Sequence, residues 1–335
     1  MADPEVFDVA IIGAGPAGLA AGLYTSRDRY STLMLEKNGL PGGQIMLTER
    51  IENYPGWENI TGPDLIQHMT NQVQNFGTAI RTGEQVTGFK RLSDGIIEIH
   101  VNDDEKIYRT RAVILSPGSD YRKLHIPGEA ELRLMGKVSY CATCDGAFYR
   151  DKHVLTVGGG NTAVEDTLYL ATRFARKTTL VHRRKEFRAQ KILQEELVEK
   201  ARSHNIDLKV PYVVERIVGN ADNSAIDHVE LRNLETKALE RLQVDGVFVF
   251  VGMVPNTSFL KGFVPLNEHG FIQCDRAYLR TAVPGVFAVG DCREAATMQL
   301  ATAVGDGVVA AMMLKEYFRD PQWWSSGRTV QVGGW

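Results

Sequence analysis

The sequence predicts an α/β protein with parallel sheets, and three observations carry that prediction. Val6 to Ile12 is a nearly unbroken apolar run, followed by Gly13-Ala14-Gly15-Pro16-Ala17-Gly18 and a helical stretch. "STLMLEK" then supplies a second strand that ends in Glu36, about twenty residues beyond the glycines. The same order returns in "HVLTVGGGNTAVEDTLYLATRF", where Gly158, Gly160 and Ala163 fill the pattern and "KTTLVHRRKEFR" supplies the next strand. Strand, glycine turn, helix and strand make a Rossmann-like dinucleotide-binding unit, so the chain holds two, each needing its own parallel sheet.

Each element has a reason. A strand buried on both faces of a parallel sheet reads as a continuous apolar run, which Val6 to Ile12 does. "RAVILSPGS", "VDGVFVFVGMVPNTSF" and "VPGVFAVGDCRE" read as further strands ending in turns, and "QLATAVGDGVVAAMMLKEYF" as a helix with an apolar face closed by Asp320-Pro321. A chain of 335 residues exceeds one ordinary core and suits two domains. Hydrophobic and charged shares of 44% and 24% are those of a globular protein. A net charge of −3 gives no sign of a nucleic-acid partner or a polybasic membrane surface. No apolar run reaches the length of a membrane span, and the start carries acidic residues where a secretory signal would be basic. Four cysteines in a chain this long do not make a secreted disulfide framework, so a reducing, cytoplasmic setting is expected.

Each glycine turn points to a phosphate. Without side chains the backbone can approach a pyrophosphate, and the helix N-terminus offers free N–H groups with partial positive charge. Glu36 can accept hydrogen bonds from an adenosine ribose and would repel a 2′-phosphate, so the first unit suits FAD or NAD rather than NADP. The second unit has opposite electrostatics. Its strand runs into His182-Arg183-Arg184, with Arg188 a helical turn further on, and cations there suit the 2′-phosphate of NADP(H). "GVFAVGD" delivers Asp291 to a turn, where a carboxylate can hold a polyhydroxyl chain such as ribitol. The helix after Gln299 can aim its N-terminus at the pyrimidine end of a flavin.

"SYCATCDG" sets Cys141 and Cys144 close together, with Asp145 directly after. Zinc wants four ligands, but Cys274 and Cys292 flank other strands and His153 has no spaced partner, so no metal is expected. A thioredoxin-type domain would need its own compact fold, whereas the pair stands just before the second nucleotide unit. Two neighbouring thiols can close a disulfide, a reduced flavin can deliver electrons to it, and Asp145 can give or take the proton.

With these motifs the sequence resembles the low-molecular-weight thioredoxin reductases over about residues 5–318. The resemblance rests on "GAGPAGLAA", "GGQI" with "IENYPG" nearby, "CATCDG", "GGGNTAVED", "HRRKEFRA", "VFVGMVPNT", "GVFAVGDC" and "TAVGDG". It implies a homodimer whose second Rossmann-like domain is inserted into the first. The FAD domain is then residues 1–118 with 247–318, the NADP(H)-type domain with the dithiol is residues 119–246, and an aromatic tail comes last at 319–335. It also implies that dithiol and nicotinamide take turns at the flavin through a domain rotation. FAD falls to Gly13, Gly15, Pro16, Ala17, Gly18, Glu36, Lys37, Gly43, Gln44, Asn53, Gly118, Asp291, Gln299, Leu300 and Ala301. NADPH falls to Gly158, Gly160, Asn161, Thr162, His182, Arg183, Arg184 and Arg188. Cys144 becomes the flavin-proximal thiol, Cys141 its partner and Asp145 the acid/base.

The implied function is reduction of a protein disulfide such as that of thioredoxin, with electrons passing from NADPH through FAD and the Cys141–Cys144 pair. Two departures leave the electron partner open. Met298-Gln299 stands where the family usually has Arg-Gln, and the tail continues to Trp335, whose ring could stack on a flavin. Relatives of this framework take electrons from ferredoxin or hold a second FAD in the nucleotide domain, and electrons could also run from dithiol to flavin. A non-catalytic redox sensor is the reading from another class, and the intact Cys141, Cys144 and Asp145 argue against it.

Overall fold

The computed structural model describes residues 5–48, 51–203 and 205–326. The chain divides into two compact units, one of Met1–Asp120 with Val254–Trp335 and the other of Tyr121–Met253. The first unit begins with β1 (Val6–Ile12), α1 (Pro16–Arg27), β2 (Thr32–Glu36), α2 (Gly62–Asn75), β3 (Ala79–Thr82), β4 (Val86–Arg91), β5 (Ile97–Val101) and β6 (Lys106–Leu115). A short β7 (Ser119–Tyr121) spans the first crossing. The second unit holds α3 (Glu129–Leu134), β8 (Val138–Ser139), α4 (Ala142–Asp145), β9 (His153–Gly158), α5 (Asn161–Arg173), β10 (Lys177–Val181), α6 (Lys191–Ser203), β11 (Ile206–Lys209), β12 (Tyr212–Gly219), β13 (Ile226–Asn233), β14 (Leu239–Leu242) and β15 (Gly246–Phe250). β16 (Met253–Pro255) spans the return crossing, and β17 (Val286–Ala288) and α7 (Leu300–Arg319) complete the first unit.

In the first unit a seven-stranded sheet runs β3-β2-β1-β6-β5-β4, with β17 pairing β6. Strands β3, β2, β1, β6 and β17 are mutually parallel, and β4 and β5 join antiparallel. Val9, Ala10, Ile11 and Ile12 are buried on both faces, which is why β1 needs no polar alternation. Helices α1 and α7 cross closely because Gly307 has no side chain: a Cβ there would lie 2.2 Å from the Ala17 carbonyl oxygen. The second unit has a parallel sheet ordered β11-β10-β9-β15-β8 and a separate antiparallel sheet β12-β13-β14.

Two expectations shift. Residues 247–250 belong to β15, which pairs with β9 and β8, and the second unit runs to Met253, so the return to the first unit comes at 253/254 and not at 246/247. Residues 319–326 are no separate tail. Trp323, 5% exposed, sits in the core of the first unit, and Trp324 packs edge-on against Phe287 and donates its indole N–H to Thr281 O (3.1 Å). Trp335 lies outside the described residues. Among the described residues no helix is long and apolar enough to cross a membrane.

Candidate active site

The first cradle is built at the C-terminal end of β1. Gly13 has φ +104°, and a Cβ there would lie 2.4 Å from Ser116 O; a Cβ on Gly18 would lie 2.1 Å from Gly13 O. Those two glycines let helix, turn and sheet touch. Gly15 differs, since nothing lies within 4 Å of the place its Cβ would take. It caps α1, with Pro16 at the first helical position, so the free N–H groups of the first turn face that open space. Glu36 is buried at the end of β2. Its carboxylate accepts from Ala14 N–H (2.9 Å) and from Asn38 N–H and Nδ2 (2.9 and 2.8 Å), tying the strand end to the glycine turn.

Other segments of this unit converge there. Gly43 comes over Gly15, with its Cβ place 3.7 Å from Gly15 Cα. The Gln44 side chain donates to Ser119 O, next to Gly118 with φ +67°. The Gly290 turn rests on both helix starts, its Cβ place 3.1 Å from Ala17 Cβ and 3.7 Å from Ala303 Cβ. Asp291 is the next residue on this turn. Burial pushes its carboxyl up to about 6, with Asp306 adding to the rise and Arg293 opposing it. No hydrogen-bond donor among the described residues reaches it, because Arg293 is taken by Asp306 (2.6 and 3.0 Å). Gln299 caps α7 in a reciprocal box with Thr302, leaving Leu300 and Ala301 in the first turn. Lys37 and Asn53 are exposed, and no contact among the described residues ties either to this group. Asp306 was not legible from sequence, since its part is to hold Gly290 N–H (2.9 Å) and Arg293 across a helix and a turn.

The second cradle repeats the logic. A Cβ on Gly158 would lie 2.4 Å from Phe250 O and 2.5 Å from Ala163 Cβ, whereas Gly160, capping α5, has nothing within 4 Å. Asn161 and Thr162 are exposed in the first turn. The segment between β10 and α6 is laced to this turn: Arg188 N–H donates to Gly159 O (2.7 Å), and Gln190 N–H to Asn161 Oδ1 (2.9 Å). Arg183, Arg184 and Arg188 are exposed. His182 corrects the expectation of a fourth cation. It is 5% exposed, stacks on Phe187 and fills the space beneath Gly159. Burial pushes its imidazole down, and the charges of Arg188, Arg183 and Arg184 add to that, so the ring is neutral packing under the turn.

Cys141 sits between β8 and α4, and Cys144 lies within α4. Cys141 and Cys144 are joined by a disulfide with Cα atoms 5.3 Å apart. Cys144 N–H donates to Cys141 Sγ (3.2 Å), because Cys141 caps the short α4. Asp145 closes that helix. Burial pushes its carboxyl up, and a hydrogen bond from Ser139 Oγ to Oδ2 (2.5 Å) pulls back. Ser139, which holds this carboxyl, is not among the site residues the sequence suggests. The only trace in the sequence was its place at the head of "SYCATCDG".

A family model described as pyridine nucleotide-disulphide oxidoreductase matches residues 7–307. A thioredoxin reductase of Bacillus subtilis (strain 168) is 42% identical over 322 residues, covering 96% of this chain and 98% of that protein. One of Listeria innocua is 41% identical over 318 residues, with 95% and 96% covered. Among solved structures, the thioredoxin reductase of Streptococcus pyogenes superposes with a TM-score of 0.85 at 38% identity, covering 94% of this chain and 98% of the other.

Proposed function

The chain belongs to the pyridine nucleotide-disulphide oxidoreductases, in the group of the thioredoxin reductases, and on that premise we propose that it reduces a protein disulfide such as that of thioredoxin, using FAD and NADPH. The observation that carries the reading is the Cys141–Cys144 disulfide with a partly buried, hydrogen-bonded carboxyl in the next residue.

The residues present fit both cofactors. The open face at Gly15, the α1 N-terminus and the undonated Asp291 suit a pyrophosphate and a polyol, as FAD offers. The open face at Gly160 and the exposed Arg183, Arg184 and Arg188 suit a pyrophosphate and a 2′-phosphate, as NADPH offers. When bound, FAD supplies two-electron transfer between a hydride donor and a disulfide.

The chain's own residues handle the sulfurs and protons. Two electrons and two protons open the Cys141–Cys144 bond to two thiols. Asp145 is the proton donor to a departing thiolate, since burial keeps its carboxyl protonated further up the pH scale. The Cys144 N–H at Cys141 Sγ favours negative charge on that sulfur, which suits Cys141 to attack the substrate disulfide. Cys144 then resolves the mixed disulfide and releases the substrate as a dithiol. A homodimer in a reducing, cytoplasmic setting goes with this reading.

Anaerobic NADPH is expected to bleach the flavin absorbance within seconds, in a protein carrying about one flavin per chain. Bleaching by dithiothreitol but not by NADPH would overturn NADPH as donor and leave the dithiol path standing. A count of about two flavins per chain would assign the second cradle to FAD instead.

A further inference from the structure

We propose that Ser139 is the positioning residue of the dithiol centre, its hydroxyl linking the Asp145 carboxyl to the backbone of Cys141. The inference rests on the disulfide-reductase reading only in taking Asp145 as the proton partner of the thiols.

The geometry is local and rigid. Ser139 is 4% exposed and ends β8, where it lies in register with Phe248 of β15. Its Oγ is 2.5 Å from Asp145 Oδ2, and it accepts the N–H of Cys141 (3.1 Å). One hydroxyl thus holds the carboxyl just after the dithiol and the residue that opens it. The next residue, Tyr140, is pinned as well: it stacks on Tyr121 at 5.1 Å and donates to Glu129 Oε1 (2.7 Å). Glu129 is buried and accepts from the N–H groups of Leu124 and His125 (2.9 and 2.7 Å). The backbone of Ser139 therefore has a paired strand behind it and an anchored ring beside it, which sets its Cβ beside Asp145.

The chemistry depends on which form the hydroxyl favours. A donor to a carboxylate stabilises the ionised acid, while burial favours the neutral one. These are the two influences on Asp145, burial being the larger. The other titratable groups nearby are Tyr149 on the succeeding turn, Asp245 before β15, and Glu165 and Asp166 on α5, the helix packed on α4. Tyr149 donates its hydroxyl to Gly136 O (2.7 Å), and none of these groups adds a charge effect to Asp145. Among the described residues Ser139 is thus the side chain that opposes burial, so it sets how readily Asp145 gives up its proton as the disulfide opens and retakes it as the disulfide closes.

The test reads the thiols directly. The holoenzyme is reduced with dithiothreitol and desalted anaerobically. Iodoacetamide alkylation of Cys141 and Cys144 is then monitored by mass spectrometry between about pH 5 and about pH 10. Wild type should show an inflection that Asp145→Asn removes. Ser139→Ala should move that inflection up by about one pH unit, the scale of one hydrogen bond to a charged group. Ser139→Thr, which keeps the hydroxyl, should restore the wild-type profile, and Ser139→Ala should change nothing in the Asp145→Asn background. An unmoved inflection in Ser139→Ala, or an equal shift with and without Asp145, would overturn the proposal. Ser139→Gly removes the same hydroxyl and decides the matter if the alanine variant does not fold. The readout uses neither NADPH nor a substrate protein, so it stands apart from failure of the proposed function.

Discussion

Gly13, Gly15 and Gly18 are the same residue held for different reasons. At Gly13 and Gly18 a side chain would strike backbone at 2.4 and 2.1 Å, whereas at Gly15 it would meet open space. Gly18→Ala is therefore expected to destabilise the chain by ~1–3 kcal/mol through forced separation of helix and turn. Gly15→Ala should keep the melting temperature of the flavin-free protein and lose flavin, because its methyl would occupy the pyrophosphate's approach. Thermal melting beside flavin absorbance per chain separates the two, and equal melting temperatures for both variants would contradict the assignment.

At the scale of elements, the segment beyond α7 is the clearest case of packing overriding composition. "QWW" stands in a polar stretch, yet a one-turn helix over Pro321–Ser325 turns Trp323 inward. Arg280 locks it: its guanidinium lies 4.6 Å from the Trp323 ring, pairs with Asp275 (2.9 Å) and reaches the carbonyls of Trp323 and Trp324. Trp323→Ala should cost ~3–5 kcal/mol, as for other buried large aromatics, and lower the melting temperature of the whole protein. A melting curve unchanged by the substitution would show that the segment is not part of the core. The stretch after β10 makes the matching point at the second cradle. Backbone N–H groups of Arg188 and Gln190 bond to the glycine turn and to Asn161, so the proposed phosphate-binding segment and the glycine turn form one piece.

Across the whole molecule, each unit holds a partly buried acid that pairs with no cation among the described residues: Asp291 in the first and Asp166 in the second, both pushed up to about 6. An unfolded carboxyl titrates near ~4. Between that value and about 6 the folded chain binds more protons than the unfolded one, so these groups stabilise at low pH and the benefit is lost as pH rises through about 6. Flavin-free Asp166→Asn/Asp291→Asn protein should gain stability over wild type, on the order of 3 kcal/mol, between about pH 5 and about pH 7.5. Denaturant melts at the two pH values measure it, and a difference between wild type and variant that stays constant with pH would contradict the burial of these charges.

The glycine turns, the strand runs and the cysteine spacing were legible in the sequence because each is a matter of local geometry. A turn of positive φ demands glycine, a doubly covered strand demands an apolar run, and a disulfide between neighbours demands closely spaced cysteines. What only the tertiary structure decided is the state of the groups those elements bring together. His182 is neutral packing because the Gly159 turn closes over it. Among the described residues Asp291 lacks a donor because Asp306 has taken Arg293. Asp145 is balanced between burial and Ser139 because β8 is fixed by β15 from a hundred residues away. Charge and proton affinity depend on what covers a side chain, and the covering residues come from far along the chain.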